Sequence, residues 1–533
     1  MTTPQFAGLG FDALIILSLY LLSNIFIGYF AYRAGDTWAA RDYFLGGKNT
    51  GALVLFFAML ATKFSGNTFF GLPGQSYRVG LMAVTLIPFT IAISLGFISY
   101  APRLYVLSKK YDYLTPSDFY ADRFDSRVLR LWTAVFLIIT VIPYLMIQTT
   151  AMGHAFVGFT GGRYSFATGV IYIFAGMLIY VLLSGWRGVV WAEVLQGALL
   201  WVAIVVAAVV LMYWEGGLAT VIQQVVIIAP EKVAVPESNE TLTRSYLLLA
   251  LVFGMGGAMY PQIIQSVYAA KSEKALRRGL AMMIPNYFII MLAVVLIGLV
   301  GIIHLRDLKA IEADQVLALL LGQRAESAYW LAILVFLGAA AAIMSTAAGV
   351  LLTLSSIVTH DLYRQFVRPQ ASEDEIATVG RVFTAVILIV VTLLSLHPIT
   401  TLWQLTVIKF EFLMQLYLPM LLGLYWPRFS RTAAIAGLAT GTLSLLVLVL
   451  SGWNHVGIFD AGVAAFVLNG LASVAVALIK APSEEEQRRI HERFFSLFTT
   501  APQAVPLSRG LSLPTSCQLS ETGGRGGAQE EAN

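Results

Sequence analysis

The stretch Ala61–Gly74, ATKFSGNTFFGLPG, decides how this chain is read. It lies inside an apolar run, yet it carries Lys63, Ser65, Gly66, Asn67 and Pro73. A helix in lipid must satisfy its own backbone N–H and C=O groups, and each group left bare is costly. Ser65, Gly66 and Asn67 permit an unwound turn whose freed groups can hold a cation and a solute.

A second stretch repeats the pattern. FGMGGAMYPQ, Phe253–Gln262, interrupts another apolar run with Gly254, Gly256, Gly257 and Pro261, five spans further on. Paired discontinuous helices are what a transporter built from inverted five-helix repeats shows, with solute and ion bound where the backbone unwinds. Five is odd, so the second repeat enters the membrane from the opposite side. Taken singly, either stretch also fits a Gly-rich helix with a small-residue interface.

The rest of the chain agrees. Of its 533 residues 58% are hydrophobic and 12% charged, and mean hydropathy is +0.77. That is too apolar for a soluble domain. Apolar runs near 11–32, 51–72, 80–102, 129–158, 165–184, 189–214, 245–268, 279–304, 328–358, 379–398, 401–426, 432–451 and 459–479 predict about thirteen transmembrane helices. The first reads as a membrane helix and not a cleaved signal, because no basic residue precedes it. Alternate connections divide the lysines and arginines unequally. One set holds only Arg78, Arg163, Lys232, Arg244, Arg306, Lys309 and Arg324; the other holds all the rest except Lys63 and Lys409, which lie within the membrane. Basic loops stay inside, which predicts the N-terminus outside and the C-terminus in the cytoplasm. The same bias explains the net charge of +4 without a nucleic-acid partner. The lone Cys517 forms no intrachain disulfide, and residues 481–533 read as a charged helical stretch followed by a largely disordered tail.

A hard cation stripped of water needs several oxygens. GAAAAIMSTAAG, Gly338–Gly349, offers Ser345 and Thr346 side by side, with small residues that let a neighbouring backbone approach. Such hydroxyls also bond back to their own helix, and spacing alone does not separate the two uses.

Six ordered motifs tip the balance. IMSTAAGVLLTLSSIVTHDLYRQF (343–366), RDYFLGGKNTG (41–51), TPSDFYADRFDSRVLR (115–130), SGWRGVVWAEVLQG (184–197), PQIIQSVYAAKSEKALRRG (261–279) and LYWPRFSRTAAIAGLATG (424–441) resemble the sodium:solute symporter family over roughly residues 10–480. The resemblance implies an all-α polytopic membrane protein with a LeuT-type five-plus-five inverted repeat preceded by one extra helix. Residues 1–50 form the extra helix and lead-in, 51–214 the first repeat, 215–244 an external loop, 245–426 the second repeat and 427–480 two further helices. It also implies a Na+ site from the carbonyls of Ala61 and Phe64 with Ala342, Ser345 and Thr346. The solute site then lies at Lys63, Ser65, Gly66, Phe253, Gly257 and Pro261.

Lys63 departs from the family pattern. In the proline-transporting branch of the family this chain resembles, that position is an aspartate implicated in sodium binding. At about 5 Å and an effective dielectric near 20, an ammonium opposes Na+ by ~3 kcal/mol. Three readings follow: Lys63 pairs with Glu193, the acidic residue on the fifth core helix; its ammonium takes the cation's place and couples transport to H+; or it contacts an anionic solute. A fourth is that it snorkels to water. Lys409 and Glu411 also stand where the family is small, and residues two apart face different ways. His154 reads as a hydrogen-bonded packing residue before it reads as a proton relay.

The expected function is Na+-driven symport of a small solute, with an organic carboxylate favoured because Lys63 suits an anion. The alternatives are proton-coupled or sodium-independent transport, or a solute-sensing membrane domain acting through a partner. An enzyme is not expected, since no Walker, HExxH or triad pattern occurs. The partners implied are the solute and the lipid bilayer, with no obligate protein partner.

Overall fold

A computed structural model describes residues 8–34, 50–234, 249–457 and 459–499. Apart from a short antiparallel pairing of His455–Val456 with Phe459–Asp460 and one isolated bridge, its regular structure is helical. Eleven helices among the described residues are long and apolar enough to cross a membrane. The expected thirteen differ from that set for a physical reason. The two runs read as broken are divided into pieces such as Ala52–Lys63 and Pro261–Ala269. At about 1.5 Å per residue neither piece alone spans ~30 Å of hydrocarbon. The spans expected at 165–184 and 189–214 form one helical assignment, Phe166–Trp214, containing two separate apolar windows. The stretch 215–244, read as loop, contains a helix at Leu218–Ile228.

Both breaks fall where the sequence predicts them. Ala52–Lys63 stops because Phe64 and Ser65 are extended, and Ser65 then caps Gly66–Phe69 by accepting from the Asn67 N–H. A further bend at Phe70 separates Gly71–Val79. In the second run a π-helical turn, Val252–Gly256, gives way at Tyr260 (φ −57°, ψ 121°) to a helix started by Pro261. Proline suits a first helical position because its missing N–H would be orphaned there anyway. The two broken runs are tied at one end, where the Thr50 N–H donates to Ala269 O (3.1 Å) and the Lys271 N–H to Thr50 O (2.9 Å).

That end of the molecule is organised by the helix Pro116–Phe124. The Asp118 carboxylate accepts from the N–H groups of Leu114 and Thr115 and closes the helix start. Buried Arg123 donates to the carbonyls of Gly423, Trp426 and Phe429, capping the end of the helix Tyr417–Tyr425. The charged stretch after Ser483, read as helical, is helical as far as Thr499. Its Arg489 and Arg493 bond Asp122 and Arg123. Residues 500–533, including Cys517, lie outside the described residues. At the opposite end Asp314 accepts from Arg78 Nη1 (2.9 Å) and from the Leu402 N–H (2.8 Å) at the start of Leu402–Leu413.

Close backbone approach fixes one glycine in particular. A Cβ on Gly256 would fall 2.3 Å from the Phe410 carbonyl oxygen, whereas one on Gly279 makes ordinary contacts, 3.5 Å to the Leu55 side chain and 3.6 Å to the Ala52 carbonyl oxygen. Gly256→Ala is therefore expected to destabilise the purified protein by about 1–3 kcal/mol through overpacking, lowering its Tm in detergent. Gly279→Ala, mid-helix with ordinary contacts, should leave Tm unchanged or raised.

Candidate cation and solute site

The helix Tyr329–Ser356 runs against the first break. Ser345 Oγ lies 2.9 Å from Ala61 O and 3.2 Å from Ala342 O. Thr346 Oγ1 lies 3.2 Å from Ala61 O and 3.4 Å from Thr62 O. Three carbonyls and two hydroxyls thus converge in a region buried from solvent. Each hydroxyl proton can rotate from its carbonyl and leave a lone pair facing inward, so this oxygen set suits a hard monovalent cation. Ala61, Ala342, Ser345 and Thr346 are brought together; Phe64 is not bonded to them, and Thr62 O stands nearer. Thr62 was missed by the sequence reading because a backbone ligand leaves no trace in side-chain chemistry.

The turn is held open from a third helix, Arg127–Phe159. Gln148 Oε1 accepts the freed Gly66 N–H (2.9 Å), and Tyr144 Oη donates to Thr62 O (2.9 Å). Gln148 had a signal, as a lone amide in the apolar run YLMIQTT. Gly66 is wedged between Ala151 and Ile343, where a Cβ would come within 2.6 and 2.9 Å of their side chains.

Beside the cage lies a cavity of about 50 Å³ lined by residues of both breaks. Of the predicted solute residues, Lys63, Ser65 and Phe253 line it. Gly66, Gly257 and Pro261 shape the breaks without lining it. The lining adds Tyr260, Tyr287, Asn67 and Thr406, and also Lys409, here on the cavity wall. Asn67 Oδ1 is buried without a hydrogen-bond partner.

The charged groups sort cleanly. Lys63 does not pair with Glu193: Glu193 Oε1 is 3.1 Å from Thr62 Oγ1, and no ion pair joins it to Lys63 among the described residues. Thr62 and Lys63 are neighbours on a helix, so their side chains leave about 100° apart. Nor does the Lys63 ammonium fill the cage. It lies 5.8 Å from the Phe97 ring centroid and 5.7 Å from that of Tyr287. Lys409 Nζ donates to Tyr260 Oη (2.7 Å) and sits 3.8 Å over the Tyr144 ring. Glu411 turns the other way, its Oε1 accepting the Gly462 N–H (3.1 Å). His154 is buried edge-on to Phe166, and neither ring nitrogen finds a hydrogen bond, contrary to expectation. One further cluster with metal-ligand spacing, Asp118, His360 and Asp361, is already bridged by Arg130 Nη1 at 2.8 Å to each aspartate.

Removing one cage oxygen tests the assignment. Ser345→Ala or Thr346→Ala is expected to raise the cation concentration for half-maximal uptake tenfold or more, about 1.4 kcal/mol. A change below about twofold in both would remove these hydroxyls from the cage.

Comparisons with known proteins agree with this geometry. Residues 43–441 match the model of the sodium:solute symporter family. The osmoregulated proline transporter OpuE of Bacillus subtilis is 27% identical over 90% of this chain and 97% of its own length. The sodium/proline symporter of Escherichia coli is 26% identical over 90% and 95%. The substrate-bound, outward-open structure of a Na+-coupled sialic acid symporter superposes with a TM-score of 0.73 at 19% identity, covering 89% of this chain and 99% of that one. These matches bear out the LeuT-type fold, the dependence on Na+ and the absence of an enzymatic role. The chain belongs to the sodium:solute symporter family and is a Na+-coupled secondary symporter.

Proposed function

We propose that this symporter imports a small organic carboxylate, bound in the cavity between the two breaks with Lys63 as its counter-ion. The observation that carries the reading is the charge of that cavity: its lining includes Lys63 and Lys409 and neither aspartate nor glutamate. Proline, the solute named for several relatives, is a zwitterion. Its ammonium would face two lysines with no carboxylate to receive it. An anion meets the opposite situation.

Lys63 then acquires a role in coupling. Alone, its ammonium opposes Na+ in the cage by ~2–3 kcal/mol at 5–8 Å and an effective dielectric near 20. A bound carboxylate cancels that opposition, so solute raises Na+ affinity and Na+ raises solute affinity by the same factor. The cage would take Na+ from Ala61, Thr62, Ala342, Ser345 and Thr346, with Glu193 held behind it by Thr62. The basic end bearing Pro116–Phe124 is the cytoplasmic face in this reading, with the N-terminus outside. Alternating access would open the Asp314–Arg78 end and the Pro116–Phe124 end in turn.

Uptake of a labelled carboxylate panel and of proline into proteoliposomes, under a Na+ gradient or a H+ gradient, tests the reading. Na+-driven accumulation of a carboxylate, lost in Lys63→Ala, is expected. In binding assays, saturating solute should tighten Na+ binding by tenfold or more in the wild type and by under threefold in Lys63→Met. Preferential uptake of proline, or carboxylate uptake indifferent to Lys63→Ala, would overturn it.

A further inference from the structure

The cavity wall carries a second ammonium, and the carboxylate reading above leaves it unmatched. Lys63 arrives on Ala52–Lys63 and Lys409 on Leu402–Leu413, so the two positive charges come from different elements. An ammonium offers three protons. Lys409 places one on Tyr260 Oη and faces the rings of Tyr144, Phe410 and Tyr260 at 3.8, 4.5 and 4.9 Å. An ammonium so placed makes cation–π contacts with these faces. Lys63 has only the two distant rings. Neither lysine meets an acid within ion-pair distance among the described residues. Glu411, two residues from Lys409, is committed to the Gly462 N–H, and Glu193 to Thr62.

We infer that the solute is a dicarboxylate of three or four carbons, one carboxylate on Lys63 and the other on Lys409. This rests on the carboxylate reading and narrows it. A monoanion would leave one of the two positive charges on the cavity, half-buried Lys63 or buried Lys409, without a counter-ion, whereas a dianion matches both. Size points the same way. A cavity of about 50 Å³ holds roughly four waters at 10–15 Å³ of probe space each, or ~120 Å³ of liquid, the bulk of about six to eight non-hydrogen atoms. Three carbons with four carboxylate oxygens make seven such atoms and four carbons make eight. Tyr260, already accepting from Lys409, and Ser65 at the first break supply neutral hydrogen-bonding groups on the cavity wall.

The test is Na+-driven uptake of labelled malonate and succinate by the full-length protein in proteoliposomes. The membrane potential is clamped at zero, because one Na+ with a dianion would carry net negative charge. Unlabelled acetate, propionate, glutarate and proline serve as competitors, and Lys409→Met and Lys409→Arg are run beside the wild type. We expect malonate or succinate to accumulate and the monocarboxylates to compete at least tenfold more weakly than either. Lys409→Met should cut dicarboxylate uptake tenfold or more and bring monocarboxylates to parity; Lys409→Arg should keep a measurable part of the dicarboxylate uptake. Monocarboxylates transported as well as or better than dicarboxylates, with Lys63→Ala still abolishing uptake, overturn the dicarboxylate and leave the carboxylate reading standing. Proline uptake without carboxylate uptake overturns both. Should Lys409→Met not yield monodisperse protein, the wild-type competition series decides alone.

Discussion

Everything at the centre of this molecule follows from one requirement: a backbone unwound in lipid must have its polar groups met by something. The first break frees the Gly66 N–H and the carbonyls of Ala61 and Thr62 from full helical pairing, and two other helices supply the remedy. Gln148 and Tyr144 come from Arg127–Phe159, Ser345 and Thr346 from Tyr329–Ser356. The same bonds that stabilise the turn converge its oxygens. A break so supported suits a cation, since the hydroxyls that donate to these carbonyls can rotate and turn lone pairs inward. Replacing hydroxyl protons by an ion changes little in the packing, which is why small residues such as Ala342 can sit against the turn.

The ends of the molecule show how such a site is kept from water. Arg78, Asp314 and the Leu402 N–H form a closed set at one end, with Asp314 fully buried. At the other, Arg130 bridges Asp118 to Asp361 on the far end of the cage-bearing helix, and Arg123 caps Tyr417–Tyr425. Breaking a buried, hydrogen-bonded charge pair costs more than breaking a surface one. Opening either end therefore needs compensation from new contacts or from hydration. Between the ends the cavity is small, as an occluded state requires.

Much of this was legible in the sequence. The runs ATKFSGNTFFGLPG and FGMGGAMYPQ located both breaks, and the Ser345–Thr346 pair marked the two hydroxyls that the fold brings onto the first break. Helical type and membrane residence followed from apolar length alone. What sequence did not disclose was orientation. Whether Lys63 points at Glu193, at the cage or at the solute depends on one step of about 100° around a helix, and Thr62 takes the acid-facing direction. The placing of Lys409 in the cavity and Glu411 outside it had the same origin. Backbone ligands such as Thr62 O are invisible to any reading of side chains, and the docking of the helices after Ser483 was hidden because their anchors, Asp122 and Arg123, lie hundreds of residues away.

The lysines bring these strands together. An ammonium at the centre of a membrane helix costs around 3 kcal/mol to insert, and this chain carries two on one cavity. Neither is neutralised by a neighbouring carboxylate among the described residues; Glu193 and Glu411 are bonded elsewhere. A protein that needed only to tolerate its lysines would have paired them. Bonding the buried acids away from the cavity, and lining it with aromatic faces that stabilise cations without neutralising them, keeps a positive field in a space too small for bulk water. In the proposed reading such a field repels the ammonium of an amino acid and opposes Na+ until an anion enters, so that selectivity for the solute's charge and dependence of the ion on the solute have a single cause.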